Sequence, residues 1–323
     1  MSVPTVSRVI NGRPDVALET RQRVQEVIDR FNFQPSAAAR SLVSHSTRIL
    51  GLIANDFEEP SLGLMIAGAQ AEAHRQGYFL ILGSNGRDED NAPGYMRLVQ
   101  QRQVEGLVFF YPIPEPGALE FIDSVHKDIP VVTAAYRFPD SRIPVVDHDN
   151  VDGGRQAVQC LLDYGHRDIA MITGPLAWKA ATDRMYGGRL ALEAAGLRID
   201  PERLVEGDWS YQSGYEAAHT FLERKVPFTG LFAHNDRMAI GAIQALHDSN
   251  LRVPQDVSVV GFDDIPGAVY NVPPLTTVRQ SSYGMGTAAL QLLIHTVQHT
   301  EDPVEDIILK TELVMRQSCG PRA

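Results

Sequence analysis

Short apolar runs separated by longer helical patterns recur in two series along this chain, and that alternation restricts the fold more than any other feature. The first series is 49–54, 79–82, 107–111 and 130–134, with helical periodicity over 62–76 and 94–102. The second is 169–173, 204–206, 231–233 and 257–262, again interleaved with helical stretches. Runs that are apolar throughout suit strands buried on both faces, and strands alternating with helices suit parallel sheets. The expected fold class is therefore α/β, with doubly wound parallel sheets, and two series imply two lobes. A chain of 323 residues, 44% of them hydrophobic, is long enough to give both lobes a sizeable core.

No apolar run reaches the length of a membrane span, and the start lacks the basic region and apolar core of a secretory signal, so a cytoplasmic protein is expected. Cys160 and Cys319 lie far apart in sequence with no metal-ligand spacing, and read as buried or incidental thiols. Charge is unevenly distributed. Residues 1–48 hold seven arginines against four carboxylates, a net of +3, which leaves −14 for the rest of a chain whose formal total is −11. A basic head on an acidic body suits a protein that meets nucleic acid at one end only, because cations gain by displacing phosphate counterions.

The head carries Ser2-Val3-Pro4-Thr5-Val6-Ser7-Arg8-Val9-Ile10-Asn11-Gly12, then a one-face apolar stripe at Val24, Val27, Ile28 and Phe31. Pro35-Ser36-Ala37-Ala38-Ala39-Arg40-Ser41-Leu42 follows, and 44–48 reads as a polar linker. These segments resemble the recognition helix, the next helix and the hinge helix of the lac/galactose repressor family. The resemblance implies a helix-turn-helix in the major groove and paired hinge helices that open the minor groove with an inserted leucine, here Leu42. The DNA-contacting set it implies is Val3, Pro4, Thr5, Ser7, Arg8, Asn11, Ala39 and Leu42. Val3 and Pro4 offer only apolar contact to a thymine methyl, whereas Arg8 can donate two hydrogen bonds to guanine. Thr5 and Ser7 would bind phosphates and set register. Family members also carry roughly a dozen residues before this point, forming a bracing first helix. Met1 stands where the family has valine, so the natural start is expected upstream; the rival reading is a truncated product unable to bind DNA.

The resemblance extends over the body, which is similar to periplasmic sugar receptors whose chain crosses between lobes three times. It implies a head at 1–48 with its hinge helix at 35–42, and an effector-binding and dimerisation domain at 49–323. Lobe one would be 49–150 and 281–309, and lobe two 151–280 and 310–323. Asp149-Asn150 with Gly153-Gly154, Arg184 after Gly174-Pro175, Trp209, Asn235-Asp236 and Asp263-Asp264 match places where the family holds effectors. Several fall just past strand ends, where open parallel sheets bind ligands. Carboxylates, amides and an arginine fork pair with vicinal hydroxyls, and an indole packs on a sugar's C–H face. The implied effector set is Ser61, Leu62, Phe110, Tyr111, Asp149, Trp178, Arg184, Trp209, Asn235 and Asp263. Each has an ordinary alternative: Asp236 or Asp264 could cap a helix, Arg184 could form a surface ion pair, and Trp209 could be core.

The chain also departs from the family at the expected cleft walls. Glu59-Pro60-Ser61-Leu62 replaces an asparagine-proline-aromatic-aromatic segment, Gly188 replaces a phenylalanine, and Ala135-Tyr136 replaces an aspartate-arginine pair. Phe110, Tyr111 and Trp178 are expected to compensate as apolar wall.

Gly284-Met285-Gly286-Thr287-Ala288-Ala289 matches a loose dinucleotide-binding pattern, but 276–283 is mostly polar, so no buried strand is expected before it. No Walker-type loop, nucleophile elbow, metal-binding histidine spacing or catalytic carboxylate pair stands in the sequence, so no enzyme, cofactor or metal is expected.

The leading reading is a ligand-responsive DNA-binding regulator, a repressor of genes for sugars or related metabolites, acting as a homodimer on a near-palindromic operator. The alternatives are a sugar receptor of the transport class, which leaves the head unexplained, and a doubly wound enzyme supported only by the glycine pattern. A form extended upstream by the first helix should bind operator tightly, with affinity falling steeply as salt rises, while the chain that begins at Met1 binds poorly. Equal, tight binding of both forms in a filter or gel assay would remove any role for that helix.

Overall fold

The computed structural model describes residues 2–10, 13–31, 46–54, 60–84, 99, 101, 103–112, 117–138, 141–299 and 302–322. Asn11, Ala39 and Leu42, the hinge segment 35–42 and most of the helical pattern at 94–102 lie outside the described residues. The chain divides into two compact units, 1–47 and 48–323.

In the first unit, α1 (Val3–Ile10) is followed by α2 (Leu18–Phe31). The Ser2 carbonyl accepts the amides of Thr5 and Val6, and the Ser2 and Thr5 hydroxyls meet at 2.9 Å, so polar groups of Ser2 close the first turn of α1. Val9 of α1 and Val24 of α2 are buried. The expected apolar stripe on α2 is only partly buried: Val27 is 54% exposed and Phe31 71%.

The second unit holds two six-stranded sheets. The first contains β1 (Ile49–Ala54), β2 (Phe79–Ser84), β3 (Leu107–Phe110), β4 (Val131–Ala134), β5 (Val145–His148) and β11 (Ile307–Leu309), in the order β11-β5-β4-β3-β1-β2, all parallel. Alternate residues of β1 and β3 face opposite cores. Leu50, Leu52, Val108 and Phe110 pack with α3 (Pro60–Arg75) and α9 (Ser282–Gln298), whereas Ile53, Leu107 and Phe109 pack with α4 (Ala118–His126).

The second sheet contains β6 (Ile169–Thr173), β7 (Leu204–Glu206), β8 (Gly230–Ala233), β9 (Ser258–Asp263), β10 (Thr276–Arg279) and β12 (Glu312–Val314), in the order β12-β10-β9-β8-β6-β7. Only β12 runs antiparallel to its neighbour. Ala170, Ile172, Leu231 and Val259 pack with α7 (Tyr211–Glu223) and α8 (Asp236–Asp248). Met171, Phe232, Val260 and Phe262 face α5 (Asn150–Asp163) and α6 (Lys179–Ala194). Among the described residues no helix is long and apolar enough to cross a membrane.

The chain passes between the sheets at Asp149, at Gln280–Ser281 and at Lys310–Thr311. One expectation is corrected at the second of these passages. Thr276–Arg279 do form a strand, and Thr276, Thr277 and Val278 are wholly buried. Polar residues are tolerated there because each hydroxyl has a partner: Thr277 donates to Asp236 Oδ1 at 2.5 Å, and Thr276 accepts from the Arg316 amide at 2.9 Å. The glycine pattern is still no dinucleotide turn. β10 belongs to the second sheet and α9 packs on the first, capped by the Ser281 hydroxyl accepting from the Gly284 amide.

Helix α5 approaches α6 so closely that a Cβ on Gly154 would lie 2.1 Å from the Arg184 carbonyl oxygen, and one on Gly187 would lie 1.9 Å from that of Val151. These are backbone contacts, which a side chain cannot relieve by rotating. Gly154→Ala should therefore destabilise the protein by about 1–3 kcal/mol by prying the two helices apart. Thermal unfolding checks this, and an unchanged midpoint would show that the helix pair yields freely.

Candidate functional site

The close packing of α5 on α6 brings the Arg184 side chain into the carboxyl-end region of both sheets, where it is buried. Its Nε donates to Asn150 Oδ1 at 2.8 Å, and an Nη donates to the His234 carbonyl. The guanidinium stands 3.7 Å from the Phe262 ring centre and 5.6 Å from that of Trp209, with Asp263 Oδ1 at 3.6 Å. Burial pulls its pKa below the ordinary arginine value, and Asp263 opposes that shift. Asn150 opens α5 and His234 follows β8, so the arginine gathers groups that are far apart in sequence.

Trp209 and Asp263 are held around it by other polar groups. Asn235 spends both ends of its amide: Oδ1 accepts the Met238 amide at the start of α8, and Nδ2 donates to the Trp209 carbonyl at 2.9 Å. The indole lies over Gly174, where any Cβ would come within 2.1 Å of the ring. Asp263 accepts from Gln280 Nε2 at 2.6 Å. Its neighbour Asp264 serves a different purpose, bonding Arg279 at 2.7 Å and Arg316 at 2.6 Å. The buried Asp236 accepts the Ile265 amide and the Thr277 hydroxyl, and so anchors the segment behind Asp263.

Left-handed backbone clusters at the same strand ends. Tyr111 (φ 50°) follows β3, Ala135 (φ 66°) follows β4, Trp209 (φ 72°) lies beyond β7, and Asp263 (φ 111°) with Asp264 (φ 59°) closes β9. Side-chain-bearing residues in this region cost energy that the surroundings must supply, a pattern typical of ligand sites.

A residue that the sequence reading passed over is Asp147 on β5. Its Oδ1 accepts the His148 amide at 2.7 Å and Asn150 Nδ2 at 3.3 Å. Burial raises its pKa to about 6, even though Arg184 and Lys179 of α6 favour the charged form. The available signal was an acidic residue two positions before the Asp149-Asn150 segment that the family resemblance singles out. His148 and His234 flank the same arginine, and burial with the Arg184 charge lowers both pKa values, that of His148 to about 3. Both imidazoles are thus neutral at physiological pH. Among the described residues, neither His234 ring nitrogen nor the Thr173 hydroxyl has a hydrogen-bond partner.

Of the effector residues expected from sequence, Arg184, Trp209 and Asp263 converge directly, and Asn235 supports them. Ser61 and Tyr111 join α3 to the end of β3, their hydroxyls 3.0 Å apart. Trp178, just before α6, packs edge-on against Tyr136 after β4, with ring centres 5.8 Å apart, and so bridges from the second sheet's side to the first. Asp149 caps α5 by accepting the Asp152 amide at 2.8 Å. Leu62 and Phe110, expected in the cleft wall, lie in the first sheet's core with Leu50 and Leu52. Gly188, expected to alter that wall, faces Met171 and Val158 inside the second core. Among the described residues no group of three or more histidine, cysteine or acidic side chains is arranged to hold a metal.

In the head, Val3, Pro4, Thr5, Ser7 and Arg8 all lie on α1. Arg8 pairs with Asp15 at 3.5 Å, both side chains being more than half exposed. Such a pair contributes little to stability and leaves the guanidinium free to exchange partners.

Two family descriptions match this chain: bacterial regulatory proteins of the lacI family over residues 1–36, and a periplasmic binding protein-like domain over residues 158–319. The transcriptional repressor PurR of Haemophilus influenzae (strain PittEE) is 34% identical over 321 residues, spanning 98% of this chain and 95% of that protein. PurR of Photorhabdus laumondii is 36% identical over 326 residues, spanning 98% and 93%. Among solved structures, the lac repressor dimer bound to operator and the anti-inducer ONPF superposes with a TM-score of 0.86 at 28% identity, covering 98% of this chain and 95% of that one. The transcriptional regulator CelR in complex with cellobiose gives 0.78 at 30% identity, covering 98% and 96%. These likenesses run through head and body alike, and the protein belongs to the lacI family of bacterial regulatory proteins.

Proposed function

We propose that this protein is a cytoplasmic transcriptional repressor that holds a near-palindromic operator as a homodimer through residues 1–48 and binds one small hydroxylated effector within residues 49–323. The effector lies between lobe one, 49–150 with 281–309, and lobe two, 151–280 with 310–323. The observation that carries this reading is the convergence of Arg184, Asp263 and Trp209 with Asp147 and Tyr111 at the carboxyl ends of two parallel sheets. Carboxylates and a guanidinium pair with neighbouring hydroxyls, the indole offers an apolar face, and the unpartnered His234 and Thr173 groups add polar capacity. The cellobiose bound by CelR supports a sugar or sugar derivative.

Coupling to DNA needs only a difference in affinity. An effector that prefers one arrangement of the lobes shifts the population of dimers toward it, and the hinge segments of the two chains enter the minor groove only when held together. Arg8 exchanges Asp15 for a guanine edge, while Thr5 and Ser7 bind phosphate.

A calorimetric screen of sugars, sugar acids and nucleobases identifies the effector. Asp263→Ala then weakens its binding by about 1.5–3 kcal/mol, roughly ten- to a hundredfold, and Trp209→Ala weakens it by removing the stacking face. Folded variants with wild-type affinity would sink the assignment.

Asp147 yields a separate pH test. Its folded-state pKa of about 6 lies above the ordinary 3.8, so the folded protein binds the extra proton and loses stability as pH rises between these values. Asp147→Asn should raise the unfolding free energy by about 1–3 kcal/mol near pH 8 and leave it unchanged near pH 4, while weakening effector binding. A gain of equal size at both pH values would show that the carboxylate carries no such cost.

A further inference from the structure

The two cysteines, 159 positions apart in sequence, meet in the second sheet's core with their sulfurs 3.7 Å apart. Cys160 lies on α5, which follows the first passage between sheets, and Cys319 lies on the terminal segment that follows the third. That segment is stitched down firmly. Ser318 accepts the Thr276 amide and donates to the Val259 carbonyl, Gly320 donates its amide to the Ser258 hydroxyl, and His166 Nε2 lies 3.0 Å from the Gly320 carbonyl. Both sulfurs are therefore held in place rather than passing each other by chance.

From this geometry we propose that Cys160 and Cys319 are a redox-responsive thiol pair, closed to an intramolecular disulfide by a hydroperoxide. Reaching the covalent S–S distance of about 2.05 Å requires less than about 2 Å of approach, within reach of side-chain rotation. The two thiols are chemically unequal. The hydrogen bond between the two thiols holds the Cys319 pKa below the usual cysteine value, while the same bond and burial push that of Cys160 up. With Cys319 as the attacking thiolate and Cys160 as the resolving thiol, closure takes two steps. Met315, 44% exposed, has its sulfur 3.5 Å from that of Cys160, so the pair sits one flexible side chain below the surface.

The steps balance. The Cys319 thiolate attacks the distal peroxide oxygen, the O–O bond breaks, and the departing oxygen takes up a proton to leave as water or an alcohol. The sulfenic acid left on Cys319 is attacked by the Cys160 sulfur. The S–S bond forms as the S–O bond breaks, and the hydroxyl leaves as water with the Cys160 proton. Two electrons pass from the thiols to the peroxide. The product ties α5 to the terminal segment and so links the second-sheet ends of two of the three passages.

The test uses the full chain, treated with a small excess of hydrogen peroxide, quenched with an alkylating reagent and digested for mass spectrometry. The expected product is one linked peptide pair containing Cys160 and Cys319 within a single chain, with loss of both free thiols. The melting midpoint should rise by roughly 5–10 °C, because the cross-link closes a long loop of the unfolded chain, and dithiothreitol should reverse the rise. Cys160→Ala should abolish the linked peptide and leave Cys319 as the sulfenic or a higher acid. Two alkylatable thiols after treatment, or a link only between chains, would overturn the proposal. Because the reading is taken on the thiols themselves, it stands or falls independently of effector and operator binding.

Discussion

A buried guanidinium is the constraint around which the body is arranged. An arginine removed from water without partners costs several kcal/mol, so Arg184 has to be met by acceptors wherever the fold places it. Those acceptors come from three separate parts of the chain: Asn150 at the first passage between sheets, the His234 carbonyl beyond β8, and Asp263 at the end of β9. Satisfying one side chain therefore fixes the relative positions of α5, α6 and two strand ends. The glycines at 153, 154 and 187 make this possible, since a methyl group at any of them would collide with Phe262, Arg184 or Val151.

The same arrangement shows how stability is exchanged for binding capacity. Tyr111, Trp209 and Asp263 hold left-handed backbone at the carboxyl ends of strands, and Asp147 keeps a largely buried carboxylate whose charged form is disfavoured. None of these features helps the sheets to form. Their concentration around one arginine is what distinguishes a binding region from a core, because natural sequences break local rules chiefly where function requires it. By contrast Asp264, with Arg279 and Arg316, and Asp236, with Thr277, are satisfied internally and act as scaffold. Neighbouring acidic residues on the same strand ends thus divide into one that faces the arginine and others that hold it there.

The α/β character, the two strand series and the family of the protein were legible in the residues themselves. Apolar runs of strand length separated by helical periodicity report burial on two faces, a local property of the sequence, and the recognition-helix motif is a contiguous string. Strands β5 and β10 were not legible. The first is four residues long and includes an aspartate and a histidine, and the second begins with two threonines whose burial depends on Asp236 and Arg316 lying opposite. Hydroxyl groups look like surface until the fold supplies their partners.

For the site, the sequence and its family resemblance determined that Arg184, Trp209 and a set of acidic and amide residues belong together, several of them just past strand ends. Only the tertiary structure decided which of them converge. It used Asp149 to cap a helix, set Asp147 beside Asn150, and packed Phe110 and Leu62 in the core. It also brought Cys160 to Cys319 across 159 positions of sequence. The physical reason is common to all of these. Local patterning records whether a side chain is buried, but not what it is buried against, and the chemistry of a carboxylate, a thiol or a guanidinium is set by its neighbour.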